Sequence, residues 1–232
     1  FQDKLGSQPT ENPEKLTMIA RENLRKEYIQ ADVGFTGANF AVAETGMISI
    51  TENEGNSRLS AALPKIMITL VGIEKVIPKM QDLALLLPML AAVGAAQSIT
   101  CYNTLYSGPR QEGECDGPEE YHVILLDNGR SRLAKDKVFQ EILQCIRCGS
   151  CINVCPIYKN VGGHTYNGTY PGPIGSVLMP QLFGMEKYKH LAFACSLCGA
   201  CRDMCPVKID LPLLLLKNRE AASTTQPKFF EK

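Results

Sequence analysis

The chain has 232 residues, with 24 basic and 24 acidic side chains, so it carries no net charge and gives no electrostatic footing for nucleic acid or an anionic membrane surface. Ten cysteines in a neutral chain without a signal-peptide pattern point to reduced thiols used as ligands, and hence to the cytosol. The most apolar stretch, Leu83 to Ala96, falls short of the roughly 20 apolar residues a membrane span needs, so it is expected to be a buried helix. The sequence opens on Phe1 rather than Met and closes on Phe229-Phe230-Glu231-Lys232, and it is read as a piece of a longer protein.

In chain order, Leu16, Ile19, Ala20, Leu24 and Tyr28 recur at helical spacing from Pro13 to Ile29, with Asn12 as N-cap and Pro13 at the first helical position. Glycines 34, 37 and 46 then punctuate short runs, and Met47 to Thr51 reads as a strand. Ile66 to Val71 is a continuous apolar run ending at Gly72, the pattern of a strand buried on both faces. Helical segments follow between Glu74 and Ala96, then strands over Ser98 to Tyr106 and His122 to Leu126, the latter closed by Asp127-Asn128-Gly129. Alternating strands and helices predict an α/β sheet domain over residues 1–134. From Asp136 the texture becomes helical, with Val138, Phe139, Ile142, Leu143 and Ile146 on one stripe. Residues 135–216 are expected to form a mainly α-helical domain. Its centre, rich in glycine and proline from Gly162 to Gly175, is expected to be mostly loop. A short helix should lead into Cys195, another should cover Leu211 to Arg219, and residues 217–232 read as a polar tail.

Two cysteine runs carry the chemistry. Cys145, Cys148, Cys151 and Cys155 precede Pro156; fifty residues later Cys195, Cys198, Cys201 and Cys205 precede Pro206. Each reads C-x2-C-G-x-C-x3-C-P, the bacterial-ferredoxin spacing, in which three thiolates of one run and the last of the other hold each [4Fe–4S] cluster. That rule assigns Cys145, Cys148, Cys151 and Cys205 to one cluster, and Cys195, Cys198, Cys201 and Cys155 to the other. Gly149 and Gly199 fall at the same place in each run and let backbone N–H groups approach the sulfides. Structural zinc favours paired C-x2-C or mixed Cys/His ligands, and a disulfide framework suits a short secreted chain; a [3Fe–4S] variant is the remaining alternative. Clusters carry single electrons, whereas the oxidation of an organic substrate commonly removes two. No nucleophile–base pair and no G-x-G-x-x-G fingerprint is present, so substrate chemistry is expected on a partner.

Further phrases carry a resemblance: Ala31-Asp32-Val33-Gly34-Phe35-Thr36-Gly37-Ala38-Asn39-Phe40, running into Ala41 to Gly46; Glu54-Gly55-Asn56; Leu63-Pro64-Lys65; Val71-Gly72-Ile73-Glu74-Lys75; Gly108-Pro109-Arg110; Asp116 to Glu120; Leu125 to Arg130; Gly162-Gly163-His164; and Gly172 to Gly175. Together with both cluster motifs, residues from about Pro13 to Ile209 resemble the lactate utilization protein B family, the iron–sulfur subunits of bacterial L-lactate oxidation. The resemblance implies a LUD-type α/β domain, incomplete in this chain, fused to a ferredoxin-type module with two [4Fe–4S] clusters. It also implies companion subunits, an electron donor or acceptor that is a protein or a quinone, and a cytoplasmic location or attachment to the membrane through partners. Two alternatives stand beside it. One is an equivalent subunit of a glycolate, glycerol-phosphate or heterodisulfide oxidoreductase; the other is a small-molecule-binding or transferase-like domain whose clusters are structural.

Smaller signals complete the reading. Gly34 to Gly46 and Gly108-Pro109-Arg110 are candidates to line an anion pocket, with Glu44, Gly46 and Arg110 as candidate ligand-binding residues; a capping or turn role for Glu44 stands beside that. The bland alternative is that the glycines form turns and Arg110 is a solvated or paired loop residue. His122 is read as structural, His164 as a candidate donor to a cluster sulfide, and His190 is given no role. Cys101 is expected to be a small buried hydrophobe and Cys115 a free thiol.

Overall fold

The computed structural model describes residues 1–224. The described chain divides into two compact units that interleave along the sequence: residues 1–71 with 101–125, and residues 72–100 with 126–224. Seven strands form among the described residues, β1 Val33–Gly37, β2 Phe40–Val42, β3 Ile48–Glu52, β4 Ile66–Gly72, β5 Val76–Ile77, β6 Tyr102–Tyr106 and β7 Glu120–Leu126.

The first unit is the α/β part. Its leading helix, Pro13–Gln30, starts as expected: the Asn12 side chain accepts from the backbone N–H groups of Glu14 and Lys15, and Pro13 occupies the first turn. One sheet runs β1-β4-β7. β1 and β4 are parallel, with Val33 opposite Ile66 and Gly37 opposite Leu70. Thr36 and Thr69 meet across that pair through their hydroxyls at 3.0 Å, both buried. β2, β3 and β6 pair antiparallel. Ala41, Ile48, Ile50, Ala61, Met67 and Val71 form the core between these strands and the helix Asn56–Ala62. β4 alternates: Met67, Thr69 and Val71 are buried while their neighbours are half-buried. The apolar run therefore has one covered face and one partly covered face, not the two buried faces its sequence suggests.

The second unit is helical, and its core gathers Phe139, Ile142, Ile174, Val177, Leu178, Ile209, Leu211, Leu214 and Leu215. Each such side chain contributes about 1.5–3 kcal/mol on leaving water. Three expectations are corrected here. The helix Leu83–Ala95 forms, but only Leu83, Leu90 and Ala91 are buried and Leu85 is 67% exposed, so it lies against the core along one edge. The stripe from Asp136 gives a 3-10 turn at Gln140–Gln144 rather than a helix; Phe139, Ile142 and Ile146 are buried and Val138 stays exposed. Between the cysteine runs, the loop expected over Gly162 to Gly175 ends early: a twelve-residue helix, Gly172–Phe183, starts within it and is buried from Gly172 through Pro180. The final helix, Leu211–Thr224, is longer than its sequence signal; the rest of the expected tail lies outside the described residues. Among the described residues, no helix is long and apolar enough to cross a membrane.

Candidate metal centres

Both cysteine runs fold alike. After the first cysteine the chain turns through a left-handed residue, Arg147 at φ 63° and Leu197 at φ 56°, and then through Gly149 at φ 79° and Gly199 at φ 85°. Each glycine caps a four-residue helical turn, Ser150–Asn153 or Ala200–Asp203. A Cβ at either glycine would meet no protein atom within 4 Å. The left-handed backbone, more than crowding by the protein, selects glycine there. Ser150 Oγ donates to the Met204 carbonyl at 3.2 Å, tying the two runs together. Cys155 opens the helix Pro156–Val161, and its sulfur accepts from the Tyr158 N–H at 3.4 Å. Cys205 and Pro206 open only a turn.

The eight thiols fall into two groups. Cys145, Cys148, Cys151 and Cys205 line one cavity of about 120 Å³, walled by Ile146, Ile152, Tyr170, Ile174 and Ile209. Cys155, Cys195, Cys198 and Cys201 line a second, narrower cavity of about 20 Å³, with Leu197, Pro173 and Pro212. Loading the second with an inorganic core requires its thiols to spread. The last cysteine of each run thus sits with the first three of the other. Burial pushes the Cys151 thiol up to about 12 and the Cys201 thiol up to about 11, and neighbouring thiolates push the same way. Burial also raises Cys148, with further contributions from Cys145 and Cys205. Without metal these thiols are neutral at pH 7, and loading must displace their protons. Among the described residues, no three His, Cys, Asp or Glu side chains stand close enough to share a single metal ion. Four thiols around a space rather than a point suit a polynuclear iron–sulfur core better than a lone zinc.

Sequence reasoning missed the charged shell of the first cavity. Lys75 is 7% exposed and its ammonium donates to the Cys145 carbonyl at 2.5 Å. Burial lowers its pKa to about 8. Glu74 and Arg130 form a buried ion pair, and Arg147 Nη2 lies 3.6 Å from the other Glu74 oxygen. Arg130 donates to the Tyr170 hydroxyl at 3.2 Å, and the Arg147 guanidinium stacks 4.3 Å above the Tyr170 ring. Arg147 also lines the first cavity, and its Nη1 is buried without a hydrogen-bond partner. An unpaired buried guanidinium N–H is costly, and an anionic group in that cavity would accept it. The donor set and this orphaned donor fit an iron–sulfur cluster. At the second run the Cys195 carbonyl accepts from Arg219 at 2.7 Å. The signal that could have been followed is the phrase Glu74-Lys75, two adjacent charges after an apolar strand.

The other candidates are not brought together. Glu44 and Gly46 sit in the turn of the β2–β3 hairpin, where Gly46 takes φ 73° and its N–H donates to the Val42 carbonyl. Arg110 instead lines an open cleft of about 760 Å³ with Arg58, Tyr102, Tyr106 and Asp116, and pairs with Glu119 at 3.2 Å. Neither Glu44 nor Gly46 lines it. Gly34 is buried on β1, and a Cβ there would lie 1.8 Å from the Ser60 carbonyl, so its role is helix–strand packing. Cys101 is exposed, contrary to expectation, because the strand it was placed in starts only at Tyr102; Cys115 is an exposed free thiol. His164 is exposed beside Tyr158 and Asn167 and lines neither thiol cavity. His122 pairs with Glu120 at 3.2 Å on an exposed strand face.

Comparison with known proteins finds two families along the chain. The LUD domain family matches residues 3–126, and the 4Fe-4S dicluster domain family matches residues 141–209. Lactate utilization protein B of Bacillus velezensis is 53% identical over 220 residues, which is 95% of this chain and 46% of that protein. The protein of the same name from Bacillus subtilis is 51% identical over the same shares. The chain therefore spans about half the length of these relatives. A solved structure, a DUF162 family protein from Deinococcus radiodurans, covers 43% of this chain at 23% identity with a TM-score of 0.33.

Proposed function

The chain belongs to the LUD domain family, and from that membership and the grouping of its thiols we propose that it is the iron–sulfur, electron-transferring part of an L-lactate-oxidising system. In this reading Cys145, Cys148, Cys151 and Cys205 hold one [4Fe–4S] cluster, and Cys155, Cys195, Cys198 and Cys201 hold a second. The observation that carries it is the exchange of the fourth thiol between the two runs, the arrangement two-cluster ferredoxins use. Such clusters supply one-electron transfer. The protein's own part is to hold the thiols in two largely apolar cavities. Two-electron chemistry on a 2-hydroxy acid needs a further centre, which companion subunits supply; electrons then leave to an acceptor protein or a quinone. The relatives named for lactate utilization support this choice of substrate.

Anaerobic reconstitution of the chain should give about eight irons and eight sulfides per molecule. Cys155→Ser should damage the cluster on Cys195, Cys198 and Cys201 and spare the one on Cys145. Selective loss at Cys145 would overturn the crossed assignment. Deleting the parent gene should abolish growth on L-lactate but not on pyruvate, and a copy with Cys198→Ser should fail to restore it. Normal growth on lactate after deletion, in a strain without other lactate dehydrogenases, would rule out the substrate and favour a glycolate-type reading.

A further inference from the structure

The two thiol cavities have matching backbones but different electrostatics. The lining of the second carries no charged side chain. The lining of the first carries one, Arg147, whose Nη1 is buried and unpartnered. Behind Arg147 stand Lys75, which donates to the Cys145 carbonyl, and Arg130, with Glu74 as the carboxylate that Arg130 and Arg147 share. Three cations against one carboxylate leave this shell positive. At the second run the corresponding carbonyl, that of Cys195, accepts from Arg219, and Leu197 stands at the position equivalent to Arg147.

Reduction adds an electron to a cluster that is already anionic with its four thiolates. Positive charge and N–H donors toward the sulfurs stabilise the reduced form and raise the potential. The Tyr170 ring and the Glu74 carboxylate hold the Arg147 side chain in place, so its charge does not swing into solvent. We propose that Arg147, positioned by Glu74 and Tyr170 and backed by Lys75 and Arg130, makes the cluster on Cys145, Cys148, Cys151 and Cys205 the higher-potential member of the pair. An electron given up by the reduced cluster on Cys155, Cys195, Cys198 and Cys201 then passes to the oxidised cluster beside Arg147. One centre is oxidised as the other is reduced. The inference rests on the two-cluster reading and adds the direction of flow inside the chain.

The test exchanges the two equivalent positions. Because Leu197 already occupies the left-handed backbone that Arg147 adopts, Arg147→Leu is sterically licensed, and Leu197→Arg is its converse. Each protein is reconstituted anaerobically, its iron and sulfide are counted, and both clusters are titrated electrochemically at one pH with EPR detection. The signals are assigned with a Cys198→Ser preparation. In the parent chain the Cys145 site should reduce first. At the parent's midpoint, Arg147→Leu should lower the ratio of reduced to oxidised cluster at that site by about tenfold, equivalent to about 59 mV for one electron, and leave the other cluster unmoved. Arg147→Lys should restore much of the loss, which a merely structural role would not require. Leu197→Arg should raise the potential of the second cluster. An unchanged potential in an Arg147→Leu protein with full iron would overturn the proposal, as would equal shifts at both sites or a parent in which the Cys145 site is the lower. If Arg147→Leu fails to load, Leu197→Arg decides: no shift at the second site overturns it. An iron count near eight keeps the two-cluster reading standing whatever the potentials show.

Discussion

Glycine does two different jobs in this chain, and the difference is visible one residue at a time. Gly149 and Gly199 are chosen for a left-handed backbone in open space. Gly175 has an ordinary backbone, but a Cβ there would lie 1.7 Å from the Tyr170 carbonyl. The start of the buried helix is packed against the preceding loop through that missing side chain. Gly175→Ala should therefore lower the thermal stability of the reconstituted protein by about 1–3 kcal/mol, the usual cost of overpacking a close contact. Gly37→Ala should stay within about 0.5 kcal/mol, since nothing lies within 4 Å of its Cβ position and its φ is negative-side. Equal effects in a melting comparison of the two variants would contradict this account. The cysteines were legible because ligand spacing is local: three thiols of each set lie within seven residues. Lys75, Glu74 and Arg147 are not, because their meaning depends on partners as far as 73 residues away in the chain (147 − 74).

At the scale of elements, the helix Gly172–Phe183 shows why a sequence rich in glycine and proline can mislead. Pro173 sits in the first turn, where a missing N–H costs nothing. Pro180 is the harder case, because it cannot donate to the carbonyl of Ser176 four residues back. The fold meets that deficit from outside. Asn218, fully buried on the helix Leu211–Thr224, donates to the Ser176 carbonyl at 3.3 Å and the Val177 carbonyl at 3.1 Å, and accepts from Gln181 at 2.7 Å. Ile174, Val177 and Leu178 do show helical spacing, but a signal three residues long was outweighed by the breakers around it. Asn218→Ala should cost about 1–3 kcal/mol, because buried carbonyls lose their donor. In a Pro180→Ala background, where the backbone N–H returns, the same change should cost less. A double-mutant cycle on thermal stability checks this, and strict additivity would show that Asn218 does not act through Pro180's missing bond.

For the whole molecule, the boundary in space does not follow the boundary in sequence. An α/β domain followed by a helical cluster module was legible from periodicity and motif, but the expected division near residue 134 treats the chain as two consecutive blocks. Residues 72–100, inside the stretch that matches the LUD family, belong to the compact unit of the cysteine runs. Their attachment is specific. Lys75 donates to the Cys145 carbonyl, the Asn153 amide reaches the Gly94 carbonyl at 3.4 Å, and a Cβ at Gly94 would lie 2.7 Å from the Cys148 carbonyl. These contacts rest on the loops that the thiols close, so they depend on whatever keeps those loops ordered. Metal binding supplies folding free energy to such a module, because the ligand set is complete only in the folded state. Chelating the iron should therefore release amide protection over residues 140–218 and, with it, over residues 72–95. Residues 33–71, whose protection comes from the paired strands β1 and β4, should keep theirs. Hydrogen exchange followed by mass spectrometry on the loaded and chelated proteins reads all three regions at once. If residues 72–95 stayed protected while the cysteine loops opened, the contacts of Lys75 and Gly94 with those loops would carry no energetic weight.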